Sequence, residues 1–242
     1  MYGNLTASDW EIKNKWKISC GIVKDGSLIV DGVSMEKIVN GTNILQNHGE
    51  FSLNNVIFNL DYGDVGSCPT DKKYSGGYPY SGRQEINQQL PYGDTLFETE
   101  IIIEGAPSYR STFFQVHDGR NSGGPPSWIG VGKNWEIKHS YPKDECSVEN
   151  CKTINSSSLM PGKKYILKAE INYQENDQNL SVKYYLNDEF IIQHLNVPIS
   201  SKINDGPYGQ NKPYIKIGIY RIGEIGNTSY IYNNVIMQNK IK

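Results

Sequence analysis

The chain has 242 residues, 37% of them hydrophobic and 21% charged, with a net charge of −2. That composition supports a real core and excludes intrinsic disorder. No apolar run approaches the roughly 18 residues a membrane-crossing helix needs. The near-neutral charge argues against a nucleic-acid partner. Seventeen Tyr, 24 Gly and 11 Pro predict a β-rich chain with many turns.

In chain order, alternation of apolar and polar residues predicts strands over 27–33, 51–60, 84–89, 95–104, 111–118 and 127–138. It predicts others over 163–174, 180–186, 190–192, 214–222 and 229–238. The segment KKYILKAEINYQ turns Tyr165, Leu167, Ala169, Ile171 and Tyr173 to one side, and Lys164, Lys168, Glu170 and Asn172 to the other. Leu180, Val182, Tyr184 and Leu186 repeat the pattern, and Asn187-Asp188 then predicts a hairpin turn. About ten strands without helical linkers predict an all-β jelly-roll sandwich of two antiparallel sheets. No composition shift marks a boundary, so residues 1–242 are read as one domain. NNVIF near residue 54 resembles NNVIM near residue 233, as neighbouring strands of one sheet would, or by chance. Long Gly/Pro/Ser-rich loops are expected at 61–82, 119–127, 140–162 and 200–213. The first two flank the strands of most interest and read as lids.

Cys20, Cys68, Cys146 and Cys151 allow three disulfide pairings. A Cys146–Cys151 bridge with Cys20–Cys68 is the first choice, and the absence of CxxC or clustered His argues against zinc. Sequons at Asn4, Asn40, Asn155, Asn179 and Asn227, with an even cysteine count, point to secretion. The opening MYGNLTASDW lacks the basic and apolar regions of a signal peptide. Secretion would then require a signal removed beforehand; the other reading is an intracellular protein.

Three strands gather polar groups on one face. In 214–220, Ile215, Ile217 and Ile219 form a core face, while Tyr214, Lys216, Gly218 and Tyr220 form the other. Lys216 and Tyr220 then lie roughly 13 Å apart along the strand, with the bare Gly218 between them. In 111–118, Phe114 and Val116 oppose Phe113, Gln115 and His117. In SGRQEINQ, Arg83, Glu85 and Asn87 share a face. An ordinary solvated sheet face and a surface salt pair would explain each strand alone. Together they offer Arg, Gln, His, Lys and Tyr, a set suited to anion recognition and proton transfer.

These residues resemble the jelly-roll polysaccharide lyases, namely the alginate lyases and the related glucuronan and heparin lyases. The family's R-x-E, Q-x-H and K-x-G-x-Y strands are matched in order by Arg83–Glu85, Gln115–His117 and Lys216–Tyr220. Asn87 stands where alginate lyases carry a second Arg. Arg221-Ile222 and the prolines of HDGRNSGGPP are closer to the glucuronan and heparin side. The resemblance implies a concanavalin A-like β-jelly roll and β-elimination on an anionic, uronic-acid-containing polysaccharide. Arg83 and Gln115 would neutralise the uronate carboxylate, which stabilises the enolate-like intermediate. His117 would be the base for the C5 proton. Tyr220 would protonate O4, or serve as both base and acid. A phenol of reference pKa about 10 needs a nearby cation to act as a base, here Lys216 or Arg83. Lys216, Glu85, Asn87, Tyr214, Arg221, Tyr80 and Trp128 would contact substrate.

No cofactor is required, and a monomer is expected. Related folds hold a structural Ca²⁺. Asp61, Asp64 and Asp71 have the oxygen ligands for one, although a solvated acidic loop is the plainer expectation. Three other functions remain open. A non-catalytic carbohydrate-binding jelly roll would stack sugars on Tyr78, Tyr80, Trp128 and Trp135. A structural surface protein would need no site. A glycosidase would need paired carboxylates such as Glu98 and Glu100.

Overall fold

The structure is a computed structural model. It describes residues 2–5, 17–20, 22–24, 27–30, 33–34, 56–60, 81–105, 110–118, 125–140, 151–153, 158–174, 179–199, 213–222 and 227–240. Its strands are β1 (Tyr2–Leu5), β2 (Lys17–Cys20), β3 (Ile22–Lys24), β4 (Ser27–Val30), β5 (Val33–Ser34), β6 (Val56–Leu60), β7 (Ser81–Gln89), β8 (Gly93–Gly105) and β9 (Arg110–His117). They continue as β10 (Ser127–Gly132), β11 (Ile137–Ser140), β12 (Cys151–Thr153), β13 (Lys164–Tyr173), β14 (Asn179–Leu186), β15 (Glu189–Pro198), β16 (Tyr214–Ile222) and β17 (Thr228–Lys240).

An eight-stranded sheet runs β1-β17-β8-β13-β14-β15-β12, with β6 also on β17. A six-stranded sheet runs β11-β10-β9-β16-β7-β2, and β3-β4-β5 form a small third sheet. Pairing in the two large sheets is antiparallel, for example in β16 with β7 and in β13 with β8. The alternation read from sequence is the alternation of burial: β14 repeats half-buried and buried positions along its whole length. Asn187 and Asp188 both have positive φ, 52° and 62°. That is the primed turn whose twist matches the flanking strands. The expected 127–138 strand is instead two strands. A turn separates them, in which the Gly132 amide donates to the Glu136 carbonyl at 2.8 Å and the Trp135 amide to the Gly132 carbonyl at 3.0 Å. Val56 and Ile57 of the first NNVI segment lie on β6 and the second segment lies on β17, and these strands are neighbours, paired from Val56↔Tyr232 to Leu60↔Thr228; Asn54 and Asn55 lie outside the described residues.

The two large sheets share an apolar interior. Phe114 of the six-stranded sheet packs on Phe97 at 4.8 Å and Tyr184 at 5.8 Å, both from the larger sheet. Full burial of a side chain of this kind contributes about 1.5–3 kcal/mol.

One irregularity decides which residues face the site. On β9 and β10, Ile129 pairs with Phe114 but Gly130 pairs with Thr112, so Phe113 is an extra residue. On β16, Gly218 and Ile219 together span the step opposite Phe113. This β-bulge turns both Phe113 and Phe114 inward. Phe113, expected beside Gln115, is 1% exposed and packs edge-on against Tyr230 at 6.5 Å. Beyond the bulge the alternation is reversed, and Thr112 and Arg110 come round to the outer face. Gly218 takes φ 134°, a conformation that requires glycine. The hydroxyl of Tyr232 reaches this gap from the larger sheet. It donates to the Phe113 carbonyl at 2.6 Å, lies 3.0 Å from the Gly218 carbonyl, and accepts from the Gly218 amide at 3.1 Å.

Cys68 and Cys146 lie outside the described residues, so the expected disulfides do as well. The same holds for Asp61, Asp64, Asp71, Tyr78 and Tyr80, and for most of the two loops read as lids.

Candidate active site

The outer face of the six-stranded sheet carries the residues singled out from sequence. Ile215, Ile217 and Ile219 go into the interior, each 1% exposed or less, which leaves Tyr214, Lys216, Gly218 and Tyr220 outside. The register then builds three rows. Lys216 stands between Asn87 of β7 and Gln115 of β9, and Gln115 stands opposite Trp128 of β10. Tyr214 stands between Gln89 and His117. Tyr220 stands between Arg83 and Thr112.

The middle row and Glu85, which stands opposite Gly218, form a buried, charge-balanced network. Lys216 Nζ donates to Glu85 Oε2 at 3.3 Å, and Gln115 Nε2 donates to Glu85 Oε1. Glu85, Asn87 and Gln115 are each 2% exposed, and Lys216 is 5% exposed. The outer face of an antiparallel sheet is ordinarily solvated. Taking a Lys–Glu pair out of water carries a desolvation penalty that only good geometry and further hydrogen bonds offset. A carboxylate only accepts, so Glu85 fixes the orientation of the Gln115 amide, with its nitrogen on the carboxylate.

At one end His117 stacks on Tyr214, with centroids 5.3 Å apart and planes 13° apart. Its Nδ1 lies 3.3 Å from the Tyr214 hydroxyl and 4.0 Å from Asp118 Oδ1. Tyr214 is 4% exposed, so it supports His117 rather than presenting a surface of its own. At the other end Tyr220 is half-buried on the outer face. Tyr214, which marks the row of His117, and Tyr220 are separated along β16 by roughly 20 Å of strand. Gln115 and Lys216 stand between the two ends, so His117 and Tyr220 do not meet at one point.

Two expectations are corrected. Arg221 shares the parity of Ile215, Ile217 and Ile219 and stands opposite Ser111. It is 2% exposed, and its charge acts on the interior hydroxyl of Tyr230. It therefore faces between the sheets and not towards Lys216. Trp128 is on the outer face but is 5% exposed, with the Arg110 guanidinium 4.8 Å over its ring. It is thus not an open stacking platform. Arg110 and Thr112 were missed because plain alternation assigns them to the inner face. The one available signal was the Phe113-Phe114 pair, two large apolar residues in succession within an alternating strand.

A second polar cluster lies in the interior. Ser127 Oγ is 2.6 Å from the Tyr184 hydroxyl and 2.7 Å from His194 Nδ1. His139 lies beside His194, with ring centroids 5.5 Å apart. Burial, helped by the charge of His139, lowers the pKa of His194 to about 3, so its ring is neutral. Burial also raises the Tyr184 hydroxyl above its ordinary value.

Glu98 and Glu100, the carboxylates a glycosidase would need, occupy half-buried positions of β8 in the other sheet. Lys164 pairs with Glu100 at 2.7 Å and, by its hydrogen bond, lowers the pKa of that carboxyl. A general acid needs the opposite shift. Among the described residues no group of three or more His, Cys, Asp or Glu is placed to hold a metal ion.

No protein-family model matches the sequence, and the comparison with curated proteins finds no match. Solved structures do match. An alginate lyase from Corynebacterium sp. superposes with a TM-score of 0.56 and 12% identity, covering 97% of this chain and 98% of that one. A marine PL7 alginate lyase from Zobellia galactanivorans superposes with a TM-score of 0.53 and 13% identity, covering 93% of this chain and 96% of that one. At these identities the likeness is one of fold, and the fold is the all-β jelly roll of two antiparallel sheets.

Proposed function

We propose that the chain is a polysaccharide lyase that cleaves a uronic-acid polymer by β-elimination. The observation that carries this reading is the Glu85–Lys216–Gln115 network, buried on a sheet face that would otherwise be solvated. A row with Tyr220 and Arg83 lies on one side of it, and a row with His117 on the other. The shared fold with alginate lyases is consistent with it. A sugar-binding module would present open aromatic rings, whereas Trp128 lies beneath Arg110.

In this reading the carboxylate of the reacting sugar lies over Gly218, which has no side chain, and is neutralised by Gln115 and by Arg83, whose backbone stands opposite Tyr220. Neutralising that carboxylate makes the C5 proton removable. The proton and O4 belong to one ring, so the groups that serve them must converge within hydrogen-bond reach. His117 belongs to another row and is held against Tyr214. Tyr220 therefore performs both transfers: its phenolate takes the C5 proton and its phenol returns it to O4. One residue can do this only where the proton and O4 lie on the same face of the sugar, as in glucuronate and mannuronate. Guluronate and iduronate place them on opposite faces. His117 contacts a neighbouring sugar.

The test is to incubate the protein with glucuronan, polymannuronate and polyguluronate and to follow ultraviolet absorbance of the conjugated unsaturated uronate. New reducing ends with no such absorbance would mean hydrolysis. Binding with neither signal would mean a lectin.

A further inference from the structure

We infer that Arg110, seated on Trp128, is an anion subsite that takes a second carboxylate of the polyuronate, beyond the sugar at Tyr220. The inference rests on the proposed reading that the ligand is a polyuronate. Three features carry it. The bulge at Phe113 brings Arg110 to the outer face, in the row next to Thr112 and Tyr220 and opposite Gly132 and Ile222. The facing positions of β10 are Gly130 and Gly132. A Cβ at Gly130 would meet the Ser111 carbonyl oxygen at 2.3 Å and the Thr112 Cα at 2.9 Å, so no side chain fits there. With no side chain at Gly130 in the way, the guanidinium reaches the Trp128 ring, 4.8 Å from its centroid, while the Glu136 and Lys138 side chains cover Gly132.

The third feature is charge. Arg110 Nε is buried and has no hydrogen-bond partner among the described residues. No carboxylate among the described residues pairs with this guanidinium. Glu136, which lies against Gly132, pairs instead with Lys138 at 3.0 Å and accepts from the Asn134 amide at 2.8 Å. A half-buried guanidinium held over an aromatic ring, with its Nε unpartnered among the described residues, is placed for charge-assisted carboxylate binding. The lysine pair with Glu85 is already neutral, so Arg110 adds a net cation to this face.

Binding can be measured apart from turnover. Isothermal titration of the full chain would use a mannuronate tetrasaccharide, with its carboxyl-reduced counterpart as the uncharged control and Tyr220→Phe as the background. Arg110→Gln is expected to weaken tetrasaccharide binding by about tenfold and to leave the reduced sugar unaffected. Arg110→Lys keeps the stem and the charge and is expected to fall between the two. It also serves if Arg110→Gln fails to fold by circular dichroism. Equal affinity in wild type and in the folded variants would overturn the subsite and leave Arg110 as packing over Trp128. Wild type that does not bind the tetrasaccharide would overturn it too. Arg110-dependent binding without any unsaturated product keeps the subsite and sinks the lyase reading. Product formation with Arg110-independent binding sinks the subsite alone.

Discussion

Tyr232→Phe isolates the contact that holds the bulge. The ring and its edge-on packing on Phe58, 5.6 Å between centroids, would be retained. What is lost is the hydroxyl that satisfies the Phe113 carbonyl and the Gly218 amide at a place where the β9–β16 ladder is interrupted. Each buried backbone group left without a partner costs about 1–3 kcal/mol, so the pair should cost roughly 2–6 kcal/mol. In a domain of this size each kcal/mol lowers Tm by about 2–4 °C, which predicts a fall of roughly 4–24 °C. Tyr230→Phe is the control. Its hydroxyl lies near Ser111 without a well-formed hydrogen bond among the described residues, so the same deletion should cost well under half as much. Thermal and urea unfolding of both variants give the comparison. Equal Tm values for Tyr232→Phe and wild type would refute the role of Tyr232 in holding Gly218, and with it the geometry of β16.

Three further outcomes are expected. His117→Ala should slow elimination on glucuronan or polymannuronate only modestly, read as initial rates of unsaturated product; complete loss would return His117 to the acid–base pair. Glu85→Ala should destabilise by about 3–5 kcal/mol, because it leaves Lys216 buried without its carboxylate, and the double variant Glu85→Gln/Lys216→Met should recover much of that in urea unfolding. His194 has a folded pKa lowered to about 3, so the unfolded chain binds its proton first as pH falls. The stability it contributes is therefore present above about pH 6.5 and is lost towards about pH 3, by up to about 1.4 kcal/mol per pH unit; His194→Gln should flatten that slope.

The strands were legible because alternation maps directly onto burial in an antiparallel sandwich. Asn187-Asp188 was legible because few residue pairs accept two positive φ values. The face taken by the middle candidate residues was legible for the same reason as the strands: Lys216, Gln115, Asn87 and Glu85 follow unbroken alternation, and each lies on the outer face. Failures occurred where alternation breaks. A bulge is set by how three strands register, which no single strand encodes, so Phe113 was placed on the wrong face and Arg110 was not considered. Arg221 was misplaced for a different reason. Its odd-numbered parity with Ile215, Ile217 and Ile219 assigns it inward, whereas the family resemblance put it among the substrate contacts. The Ser127–Tyr184–His194 cluster joins β10, β14 and β15 only through tertiary packing, and no local motif announces it. The separation of His117 from Tyr220 is likewise a property of register, which spacing within each motif does not contain.

The central claim is that Tyr220 both removes the C5 proton and protonates O4 on a same-face uronate. The most direct test compares wild type with Tyr220→Phe on polymannuronate and glucuronan, measuring unsaturated product by ultraviolet absorbance and oligosaccharide affinity by titration. Wild type should release product from at least one of these polymers. Tyr220→Phe should release none, with affinity largely retained. Product released by Tyr220→Phe at near wild-type rate, or by wild type from polyguluronate alone, would contradict it.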